Sequence, residues 1–454
     1  METVIIIVFF VGYLAITLEH NLKIDKLIPA LAMMAILWAL IALTNLPVFE
    51  VNTDLRELEP TLLDNILLHH LGKTAEILVF LLGAMTIVEI IDYFNGFATI
   101  KGFIKTRSKK KLLWLFAILA FILSAIIDNL TATIVLVTIL QKVIKEREVK
   151  WWFAGIIIIA ANAGGAWSPI GDVTTTMLWI AHKVSAAQLI EHVLVPSIVC
   201  MVVPVFVASR FKAFQGNIQD ISGEEVEEES KFGSTMLYLG LGAIVFVPFF
   251  KTITHLPPYM GMMLSLAVVA TFAEIYSNAK FNISNVDSVG EDASHYSPVH
   301  HSLSKIELPS ILFFLGILLA VAALESLGYL FHFAETLEKT MPMMGTESHG
   351  ELVSDLVVLI LGVASAVIDN VPLVAASIGM FSVPIDDPVW HFIAYSAGTG
   401  GSMLIIGSAA GVVAMGMEKI DFFWYLRKIA WLALIGFLAG AASFMLIRNF
   451  ILNA

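Results

Sequence analysis

Ser124-Ala125-Ile126-Ile127-Asp128-Asn129-Leu130-Thr131 recurs 241 positions later as Ser365-Ala366-Val367-Ile368-Asp369-Asn370-Val371-Pro372. Five of the first seven positions are identical. Each copy sits in the middle of a strongly apolar stretch, 112–141 and 353–385. An Asp at the centre of a membrane helix costs roughly 2.5–3.5 kcal/mol on insertion scales. Two such costs at matching positions point to a built site that binds and releases a cation and a proton.

Composition sets the class. Apolar residues make up 58% of the 454-residue chain and charged residues 14%, and the mean hydropathy is +0.86. A soluble domain carries about a quarter charged residues. The chain therefore reads as an all-α polytopic membrane protein with the lipid bilayer as its main partner. The net charge of −12 comes largely from loops, and nothing in the sequence supports nucleic-acid binding. A single cysteine, Cys200, excludes an intrachain disulfide. Val4 to Leu18 has no basic stretch before it and no small-residue cleavage site, which predicts a retained span.

Apolar runs predict spans near 3–19, 27–45, 75–94, 151–185 (interrupted) and 193–209, then near 235–250, 259–276, 308–331, 389–416 (interrupted) and 424–447. The two sets match in order, and an Asp-Asn segment lies between the third and fourth member of each. Six basic residues, Lys101, Lys105, Arg107, Lys109, Lys110 and Lys111, precede the first Asp-Asn segment, and Lys142, Lys145, Arg147 and Lys150 follow it. Short basic loops stay in the cytoplasm. Both ends of 112–141 are thus expected on one side, each arm being at most roughly 18–24 Å of helix. The expectation is a re-entrant hairpin tipped by Asp128-Asn129. Glu347, Glu351, Asp386 and Asp387 flank 353–385, which predicts a second hairpin entering from outside.

Each repeat then has five crossings and one hairpin. Five is odd, so the second repeat must be inverted. The expected organisation is a first repeat over 1–212, an acidic cytoplasmic linker over 213–234 carrying Glu224, Glu225 and Glu227 to Glu229, and an inverted repeat over 235–454. Both termini are expected outside. The stretch 277–305, with His295, His300 and His301, reads as a solvated loop.

A second motif, Asn162-Ala163-Gly164-Gly165-Ala166-Trp167-Ser168-Pro169-Ile170-Gly171-Asp172-Val173-Thr174-Thr175-Thr176, cannot form a continuous helix, because Pro removes a donor and Gly costs about 1 kcal/mol against Ala. Freed backbone groups at membrane depth are tolerated only against protein or a water-filled cavity. Its partner is Ser396-Ala397-Gly398-Thr399-Gly400-Gly401-Ser402-Met403-Leu404-Ile405-Ile406-Gly407-Ser408. Aligning the Gly-Gly pairs sets Gly171 on Gly407 and Asp172 on Ser408. One hairpin tip and one broken helix per repeat is a standard way to place an ion site at the bilayer midplane.

A hard cation wants oxygen ligands. Asp128, Asn129, Thr131, Asp172, Thr174, Thr175, Ser365, Asp369 and Asn370 supply them, with Na+ expected at Asp128, Asp172 and Asp369. Asn162, Ser168, Ser396, Ser402 and Glu89 are secondary candidates, Glu89 for a proton path with Asp92 and Glu325. Burial and neighbouring carboxylates both oppose the charged form, so grouped aspartates would titrate together. Proton and sodium would compete for one negative site. No Cys-His cluster or Gly-rich Lys motif points to zinc, a nucleotide or another cofactor.

These motifs resemble those of the NhaD-type sodium/proton antiporters of the ion transporter superfamily, from about residue 75 to 440. The resemblance implies exchange of Na+ or Li+ for H+ at alkaline pH in a bacterial inner membrane. It implies roles for Asp128-Asn129, Asp369-Asn370, Asp172, Thr174, Thr175 and Ser365, and a homodimer is common among related transporters. Other superfamily members carry dicarboxylates, citrate or arsenite, so a sodium-coupled organic-anion transporter is the alternative. Three Asp and no Lys or Arg among the candidate site residues disfavour an anion. An intramembrane aspartyl protease is the remote enzymatic alternative: Ile170-Gly171-Asp172 lacks the first Gly of its Gly-x-Gly-Asp element, Pro169 standing there.

Overall fold

A computed structural model describes residues 2–17, 23–52, 57–101, 106–218, 232–284, 297–306, 308–330, 332, 345–348, 351–367, 370–381 and 383–449. In chain order these form α1 (Glu2–Thr17), α2 (Leu27–Thr44), β1 (Val48–Asn52), β2 (Glu57–Thr61), α3 (Leu63–Tyr93), α4 (Ala98–Lys101), α5 (Lys109–Ile127), α6 (Asn129–Val143), α7 (Arg147–Gly165), α8 (Val173–Ile180) and α9 (Ala186–Ala208). Then follow α10 (Gly233–Thr254), α11 (Pro258–Ser284), α12 (Pro298–Lys305), α13 (Leu308–Ser326), β3 (Gly345–Ser348), β4 (Glu351–Ser354), α14 (Asp355–Ala364), α15 (Asn370–Met380), α16 (Pro388–Gly400), α17 (Ala409–Glu418), α18 (Phe422–Lys428) and α19 (Ala430–Ile447). Among the described residues, eight helices are long and apolar enough to cross a bilayer: α2, α3, α5, α9, α10, α11 over Pro258–Ser277, α13 and α19.

Several expectations are corrected. The described chain is predominantly helical, as expected, with two short antiparallel strand pairs in addition. Val48 pairs with Thr61 in one antiparallel hairpin, and Gly345 pairs with Ser354 in another. Backbone donors in those polar connections are satisfied across strands rather than by water. The third span begins at Leu63, twelve residues before the expected 75, because helical hydrogen bonding continues through Asp64, His69, His70 and Lys73. The first hairpin arm, α5, has 19 residues, roughly 28 Å of helix, longer than expected. The histidine-bearing stretch is partly helical: α11 runs to Ser284, and His300 and His301 lie on α12. His295 and the acidic run Glu224 to Glu229 lie outside the described residues.

The chain divides into two compact units. One comprises Met1–Leu78, Leu113–Gly216 and Pro309–Ala454, the other Val79–Leu112 and Asn217–Leu308. In the second unit α10 pairs with α11, and the rings of Phe232 and Tyr276 stack at 4.4 Å. In the first unit, every residue of α7 from Trp152 to Gly165 and every residue of α16 from Val389 to Gly400 is buried. A helix apolar all round belongs at the centre of a bundle. Around them α9 packs on α19, and α14 packs on α16. Trp38 on α2 donates its Nε1–H to the Leu319 carbonyl of α13 at 2.8 Å. Leu14, Leu43, Phe206 and Leu446 are exposed apolar side chains, as a lipid-facing surface requires.

Candidate ion-binding site

Four interruptions meet inside the first unit. The α5–α6 break falls on Asp128, whose φ of 81° and ψ of 160° are outside the ordinary helical and extended wells. Its carboxylate holds that turn: Oδ1 accepts from the Thr131 amide at 2.7 Å and Oδ2 from the Thr131 hydroxyl at 3.0 Å. This satisfies donors at the open end of α6. Asn129 is the first residue of α6 and Asn370 the first of α15. Asp369, immediately before α15, lies outside the described residues together with Ile368.

The broken helices follow one plan. α7 stops at Gly165 and α8 starts after Asp172, whose Oδ1 accepts from the Thr174 amide at 3.1 Å. α16 stops at Gly400, a short turn covers Gly401–Met403, and α17 starts after Ser408, whose hydroxyl accepts from the Gly411 amide at 3.2 Å. The same contact tightens both breaks: a Cβ on Gly164 would meet the Phe121 carbonyl, and one on Gly400 the Gly362 carbonyl. Ser124 donates to the Ala161 carbonyl at 2.6 Å, and Ser365 to the Ala397 carbonyl at 3.3 Å. Phe121 and Ser124 pair with Gly362 and Ser365 in the aligned Asp-Asn segments, as Ala161 and Gly164 pair with Ala397 and Gly400 in the aligned broken helices. Contacts are reciprocal too: α6 packs on α17, and α15 packs on α8.

Asp172 is where these elements converge. It is 2% exposed. Its Oδ2 accepts from Asn129 Nδ2 at 3.0 Å and from Asn370 Nδ2 at 3.2 Å. Three N–H donors, counting the Thr174 amide, thus surround one carboxyl. Asn129 Nδ2 also donates to Asn162 Oδ1 at 3.0 Å. Asn162 Nδ2 in turn donates to the hydroxyls of Ser402 and Ser408, both at 2.9 Å. Its two bonds to the serines fix the amide so that its oxygen faces Asn129. Among the described residues Thr174 Oγ1, buried beside Asp172, has no hydrogen-bond partner. A buried hydroxyl without a partner costs free energy, and a cation would remove that cost.

The structure thus brings together Asn129, Asn162, Asp172, Thr174, Ser402 and Asn370. Thr175 donates to the Asp172 carbonyl at 2.9 Å and braces the break. The hydroxyl of Ser168 accepts from the Ile170 amide at 3.4 Å within the same break. Ser365 donates to the Gly362 carbonyl at 2.7 Å, and Ser396 Oγ is buried with no partner among the described residues. Asp128 and Thr131 hold each other at the α6 turn and are half-exposed. Glu89 lies on the part of α3 that belongs to the second unit. Sequence reasoning missed Ser408 as a member of the network. Its alignment with Asp172 was the available signal.

Apolar spanning helices with buried polar groups at their interruptions define a membrane transporter. The chain belongs to the family described as citrate transporter (CitMHS), whose model matches residues 4–390, and to the NhaD-type sodium/proton antiporters. It is 41% identical to sodium/proton antiporter 1 of Arabidopsis thaliana, over 98% of this chain and 72% of that protein. Sodium/proton antiporter 2 of the same plant is 38% identical over 98% of this chain and 99% of its own length. The Na(+)/H(+) antiporter NhaD of Vibrio cholerae is 30% identical over 98% of this chain and 91% of its length. The family and its relatives are described as transporters rather than as enzymes.

Proposed function

We propose that this protein exchanges Na+ or Li+ for H+ across a bacterial inner membrane by alternating access at the Asp172 cluster. The relatives' names supply the exchange reaction. The observation that carries the site is the meeting of Asn129 and Asn370, from the two hairpins, on one oxygen of the buried Asp172. A buried carboxylate that collects the side-chain amides of Asn129 and Asn370, with the Thr174 hydroxyl beside it, offers the oxygen-rich surroundings that a small hard cation takes. Na+ and H+ then occupy one negative site in turn, which suffices for antiport.

In this reading Asp172 is the common acceptor. Thr174 Oγ1 and the Asn129 and Asn370 side-chain oxygens are further ligands. Asp128 and Asp369, which precede Asn129 and Asn370 in the sequence, are the partner carboxylates, with Thr131, Thr175 and Ser365 in supporting roles. The repeats 1–212 and 235–454 are inverted, the 213–234 linker is cytoplasmic, both termini are outside, and the protein is a homodimer. The matched contacts at Gly164 and Gly400, and at Ser124 and Ser365, support a two-fold plan. Asp172 and Ser408 depart from it, so of the two broken helices only the first brings an acid.

Everted vesicles containing the protein should lose a preformed ΔpH when Na+ or Li+ is added, and Asp172→Asn vesicles should keep it. Vesicles that ignore Na+ but accumulate labelled citrate would replace this reading with the anion alternative.

A further inference from the structure

We infer that Tyr425 is a positioning residue for ion binding, acting through the Gly401–Met403 turn on Asn162 and so on Asp172; this rests on the proposed exchange site. Tyr425 lies on α18, is fully buried, and donates its hydroxyl to the Ser402 carbonyl at 2.8 Å. That carbonyl sits where α16 breaks, so the regular helical ladder no longer claims it. The same residue's hydroxyl accepts from Asn162, at 2.9 Å. Ser402 is therefore held from both ends, its backbone by Tyr425 and its side chain by the amide that orients Asn129 towards Asp172.

The arrangement is one-sided. At the aligned position of the first repeat stands Ala166, which has no hydroxyl to offer. α18 is itself fixed: Asp421 caps it through the Trp424 amide at 2.8 Å. Trp424 also packs edge-on against Trp151 and Trp152 of α7, at 5.2 and 5.4 Å between ring centroids. Tyr425 thus ties the break in one repeat to the first half-helix of the other. Without its hydroxyl the turn keeps its backbone trace but gains freedom at Ser402, and Asn162 loses a fixed acceptor.

The test compares Na+-dependent ΔpH dissipation in vesicles with wild-type protein, Tyr425→Phe, Ser402→Ala and the double variant. Tyr395→Phe is the control, since Tyr395 is equally buried and donates to the Phe437 carbonyl of α19 rather than to the Gly401–Met403 turn. Tyr425→Phe should raise the apparent KM for Na+ about fivefold, the size of one neutral hydrogen bond, with maximal rate and melting temperature near wild type. The double variant should match Ser402→Ala, because both changes act on one link. Tyr395→Phe should leave KM unchanged. An unaltered KM in Tyr425→Phe, effects that add in the double variant, or the same KM change in Tyr395→Phe overturns the inference. Absence of exchange in the wild type would instead overturn the site reading itself.

Discussion

Asn370 donates its side-chain amide to Oδ2 of Asp172 at 3.2 Å, joining residues 198 positions apart. Asn129 reaches the same oxygen at 3.0 Å from the start of α6. A hydrogen bond to a charged group contributes about 1.5–3 kcal/mol, so Asn370→Ala should weaken apparent Na+ affinity roughly 10- to 100-fold. Asn129→Ala should do likewise, and the double variant should fall short of the product, since the two donors share one acceptor. Na+ titration of ΔpH dissipation measures each value. Wild-type affinity in both single variants would remove the amides from the site.

Arg448 and Asp355 form a second buried polar contact with a different purpose. The guanidinium grips the carboxylate through two bonds, 2.7 and 2.5 Å, and both side chains are nearly inaccessible. It pins the start of α14 to the end of α19. Removing one partner of such a pair leaves a buried charge and costs about 3–5 kcal/mol. Asp355→Ala should therefore lower the melting temperature in detergent sharply, while Asp355→Leu with Arg448→Met should recover most of it. Equal melting of Asp355→Ala and wild type would show the pair to be dispensable.

The breaks in this fold were legible in the sequence, whereas the partnerships across them were not. Gly164-Gly165 followed by Ser168-Pro169 and Gly171 cannot stay helical, and the Asp128-Asn129 pair marks the middle of the first Asp-Asn segment. That Asn162 would gather Asn129, Ser402 and Ser408 depends on how three helices face one another, and no local pattern encodes it. Arg448 was equally hidden, because its carboxylate partner lies 93 positions away. The early start of α3 is hidden because Asp64, His69, His70 and Lys73 interrupt the apolar run without interrupting the helix. A helix needs no apolar side chains to continue its backbone hydrogen bonds. The strands at 48–61 were missed because an acidic connection offered no clean alternation.

Asp386, in the connection between α15 and α16, carries the acid sensitivity expected of the fold. Burial opposes its ionisation, but the His391 contact and bonds from Ser185 outweigh burial, leaving the carboxyl below its ordinary range. The Ser185 amide donates to it at 2.6 Å, and the Asp386 amide donates to the Lys183 carbonyl at 2.9 Å. A group with a lowered folded pKa stabilises above its unfolded pKa and loses that contribution as pH falls through the folded one. The window thus lies below about pH 4. Asp386→Asn should flatten the acid limb of melting temperature against pH there and leave the neutral region parallel to wild type. An unchanged acid limb would assign the sensitivity to other carboxylates.

Membrane placement of the first hairpin follows from charge and can be read directly. Lys109 to Lys111 open α5, and Lys145, Arg147 and Lys150 lie just beyond α6 or in the first turn of α7. Basic residues next to apolar segments resist translocation, so both ends should share the cytoplasmic face even though α5 alone is long enough to cross. Single cysteines at Ser108→Cys and Glu148→Cys, in a Cys200→Ser background, should both react with an impermeant maleimide in everted vesicles and neither in right-side-out ones. Labelling from opposite faces would make 109–143 a full crossing. The count of spans before the second repeat would then change by one, and the proposed inversion of the repeats would be lost.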